Sequence, residues 1–232
     1  MRFEALASSS AGNAYIVSDD MTRILLECGV SPAKLQKLCG FKLSEFHAAF
    51  VSHDHNDHAK AAKELISRGM DVYMSQGTAD ALELDGARIV EAMEQVNVGS
   101  LDIVPFTTFH DCREPLGFLV KSRLDGDVLA FATDTVNLRY KFPGLTILAI
   151  EANYDKEILA RCEKMPEKVR YRITNSHMEI DTLCDYLRGL DLSRCREIHL
   201  LHLSDATSHE GHFINKVARA VPQGISVTAC KK

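Results

Sequence analysis

The segment Val51-Ser52-His53-Asp54-His55-Asn56-Asp57-His58 (VSHDHNDH) places three of the chain's ten histidines and two of its aspartates within six residues. It follows directly on the apolar run Ala48-Ala49-Phe50-Val51. In an extended segment His53 and His55 project to the same side. Asp57 and His58 then need a turn to come round to a neighbouring point. Neutral imidazole and carboxylate are ligands for borderline and hard divalent ions, so four such groups at the tip of a strand read as part of a metal site. A solvated, turn-rich loop would account for neither the flanking apolar strand nor the HxHxDH order.

A catalytic site needs further ligands, and the chain offers them at the ends of later apolar runs. His110 follows Ile103-Val104-Pro105-Phe106, Asp134 ends Val128 to Thr133, and His202 ends Ile198-His199-Leu200-Leu201. Polar residues at the tips of buried strands are where layered folds build their sites. The isolated histidines His47, His199, His209 and His212 read instead as surface or satisfied core residues.

Strand-like runs fill the first half: Phe3 to Ala7, Ala14 to Val17, Ile24 to Cys28, Ala48 to Val51, Leu101 to Phe106, Gly117 to Val120 and Val128 to Ala132. Ser31-Pro32 opens a helix that stops near Gly40, and His58 to Arg68 has the composition of another, ended by Gly69. Later come strands at Leu145 to Ile150, Glu197 to Leu201 and Ser226 to Ala229, with helical patterns at Tyr154 to Cys162, Glu179 to Leu187 and Phe213 to Ala220. Strands interleaved with helices indicate an α/β or α+β layer protein. No repeat or long linker divides the chain, so 1–232 is expected to be a single domain.

The apolar fraction of 46% and charged fraction of 25% are those of a globular protein. A net charge of −5 argues against a basic coat that would grip nucleic acid generally. It leaves room for a local cationic site, because bound metal ions would be the largest charges there. No apolar segment reaches the length that spans a bilayer, and the start lacks the pattern of a secretory signal, so a cytoplasmic protein with no membrane partner is expected. The seven cysteines are scattered and never spaced as CxxC, which disfavours a disulfide framework or a thiolate zinc knuckle.

The segment His53-Asp54-His55-Asn56-Asp57-His58, with His110, Asp134 and His202 following in order, resembles the ligand motifs of the metallo-β-lactamase superfamily. That resemblance implies a four-layer αββα sandwich with two divalent metal ions, zinc or manganese. One would be held by His53, His55 and His110, the other by Asp57, His58 and His202, with Asp134 bridging. A narrower likeness is to the WalJ/YycJ-type branch. Ala7-Ser8-Ser9-Ser10-Ala11-Gly12-Asn13-Ala14 is similar to its SSGSxGN opening, and Phe109 to Phe118 to its HDAxEPxG segment. Ile150-Glu151-Ala152-Asn153-Tyr154-Asp155 resembles its IESNHD, Asn175-Ser176-His177-Met178 its GHLS, and His202-Leu203-Ser204 its HLS. The branch is associated with 5′ to 3′ exonuclease activity on duplex DNA, so the likeness implies a nuclease acting on DNA in preference to RNA.

Three departures from the pattern stand out. Glu27 stands where the superfamily usually has Asp, adding a methylene to a residue expected to orient the metal loop. Tyr154 replaces a His of the branch, and Asp205-Ala206-Thr207 replaces its paired Asn.

With two metals sharing Asp134 and a water, the water's pKa falls toward neutrality and a hydroxide becomes available. Both ions can then stabilise the oxygens of an in-line displacement at a phosphodiester. His177, placed in a loop before a helix starting near Met178, is the expected phosphate contact or general acid, so Asp57, Asp134 and His177 carry the chemistry. Ser9, Ser10 and Asn13, with Asn153 and Ser204, are the candidate substrate contacts. Rival readings are a small-molecule phosphodiesterase or thioester hydrolase of the same fold, or a non-catalytic nucleic-acid-binding member. Diiron reductases of the superfamily carry an acidic residue where this chain has His55. Large RNA-processing members insert a whole domain where only 67 residues separate Asp134 from His202.

Overall fold

The computed structural model describes residues 1–230, which form two compact units. The first comprises 1–107 and 112–128, the second 108–111 and 129–230.

In the first unit six strands pair in chain order: β1 (Arg2–Ala7), β2 (Ala14–Ser18), β3 (Arg23–Leu26), β4 (Ala48–Phe50), β5 (Val72–Met74) and β6 (Arg88–Ile89). The first three run antiparallel, and pairing from β3 to β6 is parallel. Parallel neighbours need crossover connections, and short helices occupy them. These are α1 (Pro32–Leu38), α2 (Asn56–Ala59), α3 (Ala62–Ser67) and α4 (Gln76–Ala81). α1 begins as its sequence dictates: Ser31 Oγ accepts from the Lys34 amide, and Pro32 fills the first turn, where no amide donor is missed. Leu25, Leu35, Ala49, Val51, Leu65 and Met74 share one buried cluster. Phe50 stacks on Tyr73 at 4.7 Å and meets Phe118 edge-on at 5.4 Å. An antiparallel meander completes the unit: β7 (Val96–Val98), β8 (Leu101–Thr107) and β9 (Leu116–Ser122).

The second unit carries a parallel ladder of β10 (Val128–Ala132), β11 (Ile147–Glu151), β12 (Glu197–Leu201) and β13 (Ser226–Ala229), paired in that order. Every residue of β10 and β11 is buried, which is why these strands read as continuous apolar runs and not as alternating ones. Between β11 and β12 lie α5 (Lys156–Arg161), α6 (Glu167–Ser176) and α7 (Ile180–Arg188); α8 (Glu210–Ala220) precedes β13. α7 buries Ile180, Leu183, Cys184 and Leu187, the i, i+3, i+4, i+7 stripe of an amphipathic helix.

Two expected elements differ. The helix over 58–68 is broken into α2 and α3, because the Ala61 amide turns to the Cys28 carbonyl at 2.9 Å while the Cys28 amide donates to the His58 carbonyl at 2.8 Å. A long-range partner wins over continuation of the helix. His177 lies in the short connection before α7, but that connection is preceded by α6, a helix the sequence did not announce, since of its ten residues only Ser176 is buried. Among the described residues no helix is long and apolar enough to cross a membrane. All seven cysteines are free thiols.

Candidate functional site

In the first unit the HxHxDH segment starts at His53, three residues past the end of β4. His53 and His55 sit in the extended stretch, and the one-turn helix α2 carries Asp57 and His58. The His53 ring is held by Ser52 Oγ, 2.8 Å from Nδ1, so Nε2 is the nitrogen left to coordinate. That Nε2 lies 3.1 Å from His55 Nδ1. Tetrahedral coordination at about 2.0–2.1 Å sets adjacent nitrogens roughly 3.3 Å apart, so this pair already has the spacing of two ligands of one zinc-like ion. The donor set, imidazoles with a carboxylate, also fits such an ion.

His58 is fully buried, with its Nδ1 3.5 Å from Glu27 Oε2 and its Nε2 3.5 Å from Asp57 Oδ2. Glu27 is equally buried and accepts the Ser52 amide at 3.3 Å. It adopts the left-handed backbone conformation (φ 65°), ending β3 two residues earlier than its apolar run suggested. The extra methylene relative to aspartate is thus used to reach both the imidazole and the loop backbone. Orienting carboxylates of this kind fix ring tautomer and ligand basicity.

Asn13, read from the sequence as a substrate contact, is buried among the same groups. Its amide nitrogen lies 3.1 Å from the Asp57 carbonyl and 3.1 Å from His58 Nε2, and its Oδ1 accepts from Tyr15 Oη at 3.0 Å. Ser9 is half-buried and Ser10 exposed in the loop before it.

Gly29 locks this arrangement. A Cβ there would lie 1.6 Å from the Asp57 carbonyl oxygen, and the approach is backbone against backbone. Gly29→Ala is therefore expected to cost about 3 kcal/mol or more, at or beyond the upper end of ordinary overpacking, and to displace His58. Denaturant unfolding checks this; an unchanged midpoint would show that the two backbones are not packed as described.

In the second unit the ligand atoms of Asp134, Glu151, His177 and His202 all lie within 4.8 Å of one another. Three strand ends deliver all but His177, which follows α6. Asp134 follows β10, Glu151 is the last residue of β11, and His202 follows β12. Asp134 (φ 45°) and His202 (φ 52°) are left-handed, as Glu27 is. Non-glycine residues seldom take that conformation, and such strain persists where surrounding structure enforces it, commonly at functional sites.

Glu151 organises the cluster. It is fully buried, and it accepts the Thr135 amide at 2.9 Å, the Met178 amide at 3.0 Å and His177 Nδ1 at 2.6 Å. Burial alone would raise its pKa, but the His177 imidazole beside it holds the carboxyl below the usual range. Burial likewise would lower the pKa of His177, yet the charge and hydrogen bond of Glu151 raise it above the ordinary histidine value. His202 Nδ1 lies 3.4 Å from Glu151 Oε1 and 3.5 Å from Asp134 Oδ1. His110 is anchored by Nδ1 on the Ser176 carbonyl at 2.8 Å, with Nε2 3.6 Å from Asp134 Oδ2.

Asn153, the other amide read as a substrate contact, is buried and donates to the His202 carbonyl at 2.8 Å, so it positions that histidine. Ser204 is half-buried, its amide donating to the Asn153 carbonyl at 3.0 Å. Tyr154 is buried, and its carbonyl accepts the Ile180 amide at 2.9 Å. Glu151 was visible in the sequence only as part of the segment Ile150 to Asp155. The available signal was an acidic residue closing an otherwise wholly apolar strand.

A family model described as the β-lactamase superfamily domain matches residues 22–200. The chain is 27% identical over 222 residues to the exodeoxyribonuclease WalJ of Streptococcus pneumoniae serotype 2 (strain D39 / NCTC 7466), covering 88% of this chain and 81% of that protein. It is 26% identical over 224 residues to the exodeoxyribonuclease YycJ of Bacillus anthracis, covering 88% and 83%. The crystal structure of Zn(2+)-bound PqqB from Methylobacterium extorquens superposes with a TM-score of 0.73 at 13% identity, covering 100% of this chain and 99% of that one. The mixed α/β metallo-β-lactamase fold expected from the sequence is the fold observed.

Proposed function

We propose, for a chain that belongs to the β-lactamase superfamily, a metal-dependent phosphodiesterase that degrades DNA from the 5′ end. The observation that carries metal dependence is the 3.1 Å approach of His53 Nε2 to His55 Nδ1, with the remaining His53 nitrogen secured by Ser52. The DNA substrate is supported by the relatives named as exodeoxyribonucleases along most of the chain. We take 1–232 as one functional domain and retain the ligand grouping implied by the resemblance. His53, His55 and His110 would hold one ion, Asp57, His58 and His202 the other, and Asp134 would serve both. Zinc and manganese both suit these donors, and the cytoplasm is the compartment proposed.

When bound, divalent ions at such ligands bring water toward ionisation at neutral pH and offset charge on phosphate oxygens. The chain's own groups do the rest. Glu151 takes His177 Nδ1, so Nε2 is the nitrogen that would meet a substrate. Because Glu151 favours the protonated ring, His177 is suited to contact a phosphate or hand a proton to the departing alkoxide. Asn13 and Asn153 hold His58 and His202 in place. Ser9, Ser10 and Ser204 are retained as substrate contacts.

His177→Ala is expected to lower turnover about 10²–10⁴-fold, the range typical of a lost general acid, with metal content intact. Loss of metal would instead make His177 a ligand. The reading as a whole is tested by measuring bound metal in protein as purified and following hydrolysis of 5′-labelled duplex DNA, a cyclic phosphodiester and a glutathione thioester. Release of nucleotides from the duplex 5′ end is expected. Turnover confined to either small substrate would overturn it.

A further inference from the structure

α6 gives the fold almost no side chain: only Ser176 is buried, and Arg170 and Ile173 are partly so. Its position is nevertheless fixed. At its C-terminal end the Ser176 carbonyl meets His110 Nδ1 at 2.8 Å, and the next residue, His177, is bound to Glu151. Nearer its start the Arg170 guanidinium binds the carbonyls of Leu159 at 2.7 Å and Met165 at 3.2 Å, and also that of Cys162. A helix held this way has an outer surface with no duty to the core.

That surface is not generic. Lys168, Tyr171, Arg172 and Asn175 are all exposed and follow i, i+3, i+4, i+7 spacing, which sets them on one face. Tyr171 is 70% exposed, between two cationic neighbours on that face. From position 161 to 172 there are five basic and two acidic side chains, in a chain of net charge −5. Arg172 has one anionic contact, Asp111 Oδ2 at 3.6 Å, beside His110. Exposed pairs of this sort contribute little, so a phosphate can take the carboxylate's place.

Resting on the nuclease reading, we infer that this face of α6 is where duplex DNA is gripped: Lys168 and Arg172 contact phosphates of one strand and Tyr171 stacks on a base at the duplex end. The two cations are about 6 Å apart along the helix axis, close to two base steps of about 3.4 Å each. A cationic track with an aromatic platform is how proteins hold nucleic acid without reading its sequence. The stripe runs toward His177, so a strand lying on it is led to the ligand-bearing end of the unit.

The test uses the full chain with its metals and a fluorescent, 5′-phosphorylated duplex carrying a cleavage-resistant phosphorothioate backbone, with Kd measured by anisotropy across a range of KCl concentrations. Lys168→Ala/Arg172→Ala is expected to weaken binding at least about 10-fold and to reduce the slope of log Kd against log salt by about 2, one unit per lost phosphate contact. Tyr171→Ala should weaken binding at least about 5-fold with the slope unchanged, as for a lost stacking contact. Arg219→Ala, an exposed charge on α8, should match the parent. All variants should hydrolyse bis(p-nitrophenyl) phosphate at the parent rate.

Parent-like affinity and slope in the double variant would overturn the inference. So would a parent protein that leaves the duplex unbound, or loss of binding confined to a single-stranded RNA. A parent that binds through α6 but cleaves no duplex sinks the nuclease reading and leaves this one standing. Duplex cleavage indifferent to all three substitutions does the reverse.

Discussion

Asp134→Asn is expected to reduce DNA hydrolysis by more than about 10³-fold while leaving the fold in place. Asparagine is nearly isosteric and, with aspartate, is among the few residues enriched in left-handed backbone, so φ of 45° at this position is kept without added strain. What disappears is a negative charge at a buried point reached by His202 Nδ1 at 3.5 Å and His110 Nε2 at 3.6 Å. Thr133 Oγ1 donates to the same carboxylate at 2.8 Å, and an amide oxygen can still accept that bond. Bound metal should fall from two ions toward one or none, with a melting shift of only a few degrees in the stripped protein. A variant that keeps two ions and a tenth of the parent rate would refute the shared role of this carboxylate.

The largest effect on stability is expected from Glu151→Ala. This side chain is wholly buried and satisfies two backbone amides, Thr135 and Met178, besides the His177 ring. Truncation strands both donors and leaves an imidazole without its counter-charge. Breaking a buried pair from one side costs about 3–5 kcal/mol, and unsatisfied amides add to that. For a chain of this length the loss should appear as a fall in Tm of about 10 °C. Glu151→Gln separates structure from chemistry, since an amide oxygen can still accept from backbone but no longer favours a protonated His177. It should recover much of the stability and little of the turnover. Equal melting of Glu151→Ala and the parent would mean that the carboxylate does not hold these strand ends together.

The residues most legible in the sequence were those whose chemistry is rare in their surroundings. Imidazoles and carboxylates at the tips of apolar runs stand out without any knowledge of geometry, which is why His53, His55, His58, His110, Asp134 and His202 are the candidates that the sequence offers. The role of Glu151 is not legible in the sequence, because an acidic strand terminus does not reveal that three donors converge on it. The left-handed turn at Glu27 is equally hidden, since glutamate is not a turn former. The split between α2 and α3 depends on the Cys28 backbone, far away in sequence, and no local pattern encodes it. α6 escaped for the opposite reason: hydrophobic periodicity detects helices that bury a face, and this one buries almost nothing.

That same solvated helix has an evolutionary consequence. Exchange of its outward residues perturbs no packing, so variants there are nearly neutral for folding and accumulate freely. Residues on that face can therefore change by drift, while the buried strand-tip residues Glu151 and Asp134, each tied to several neighbours, are held under strict constraint.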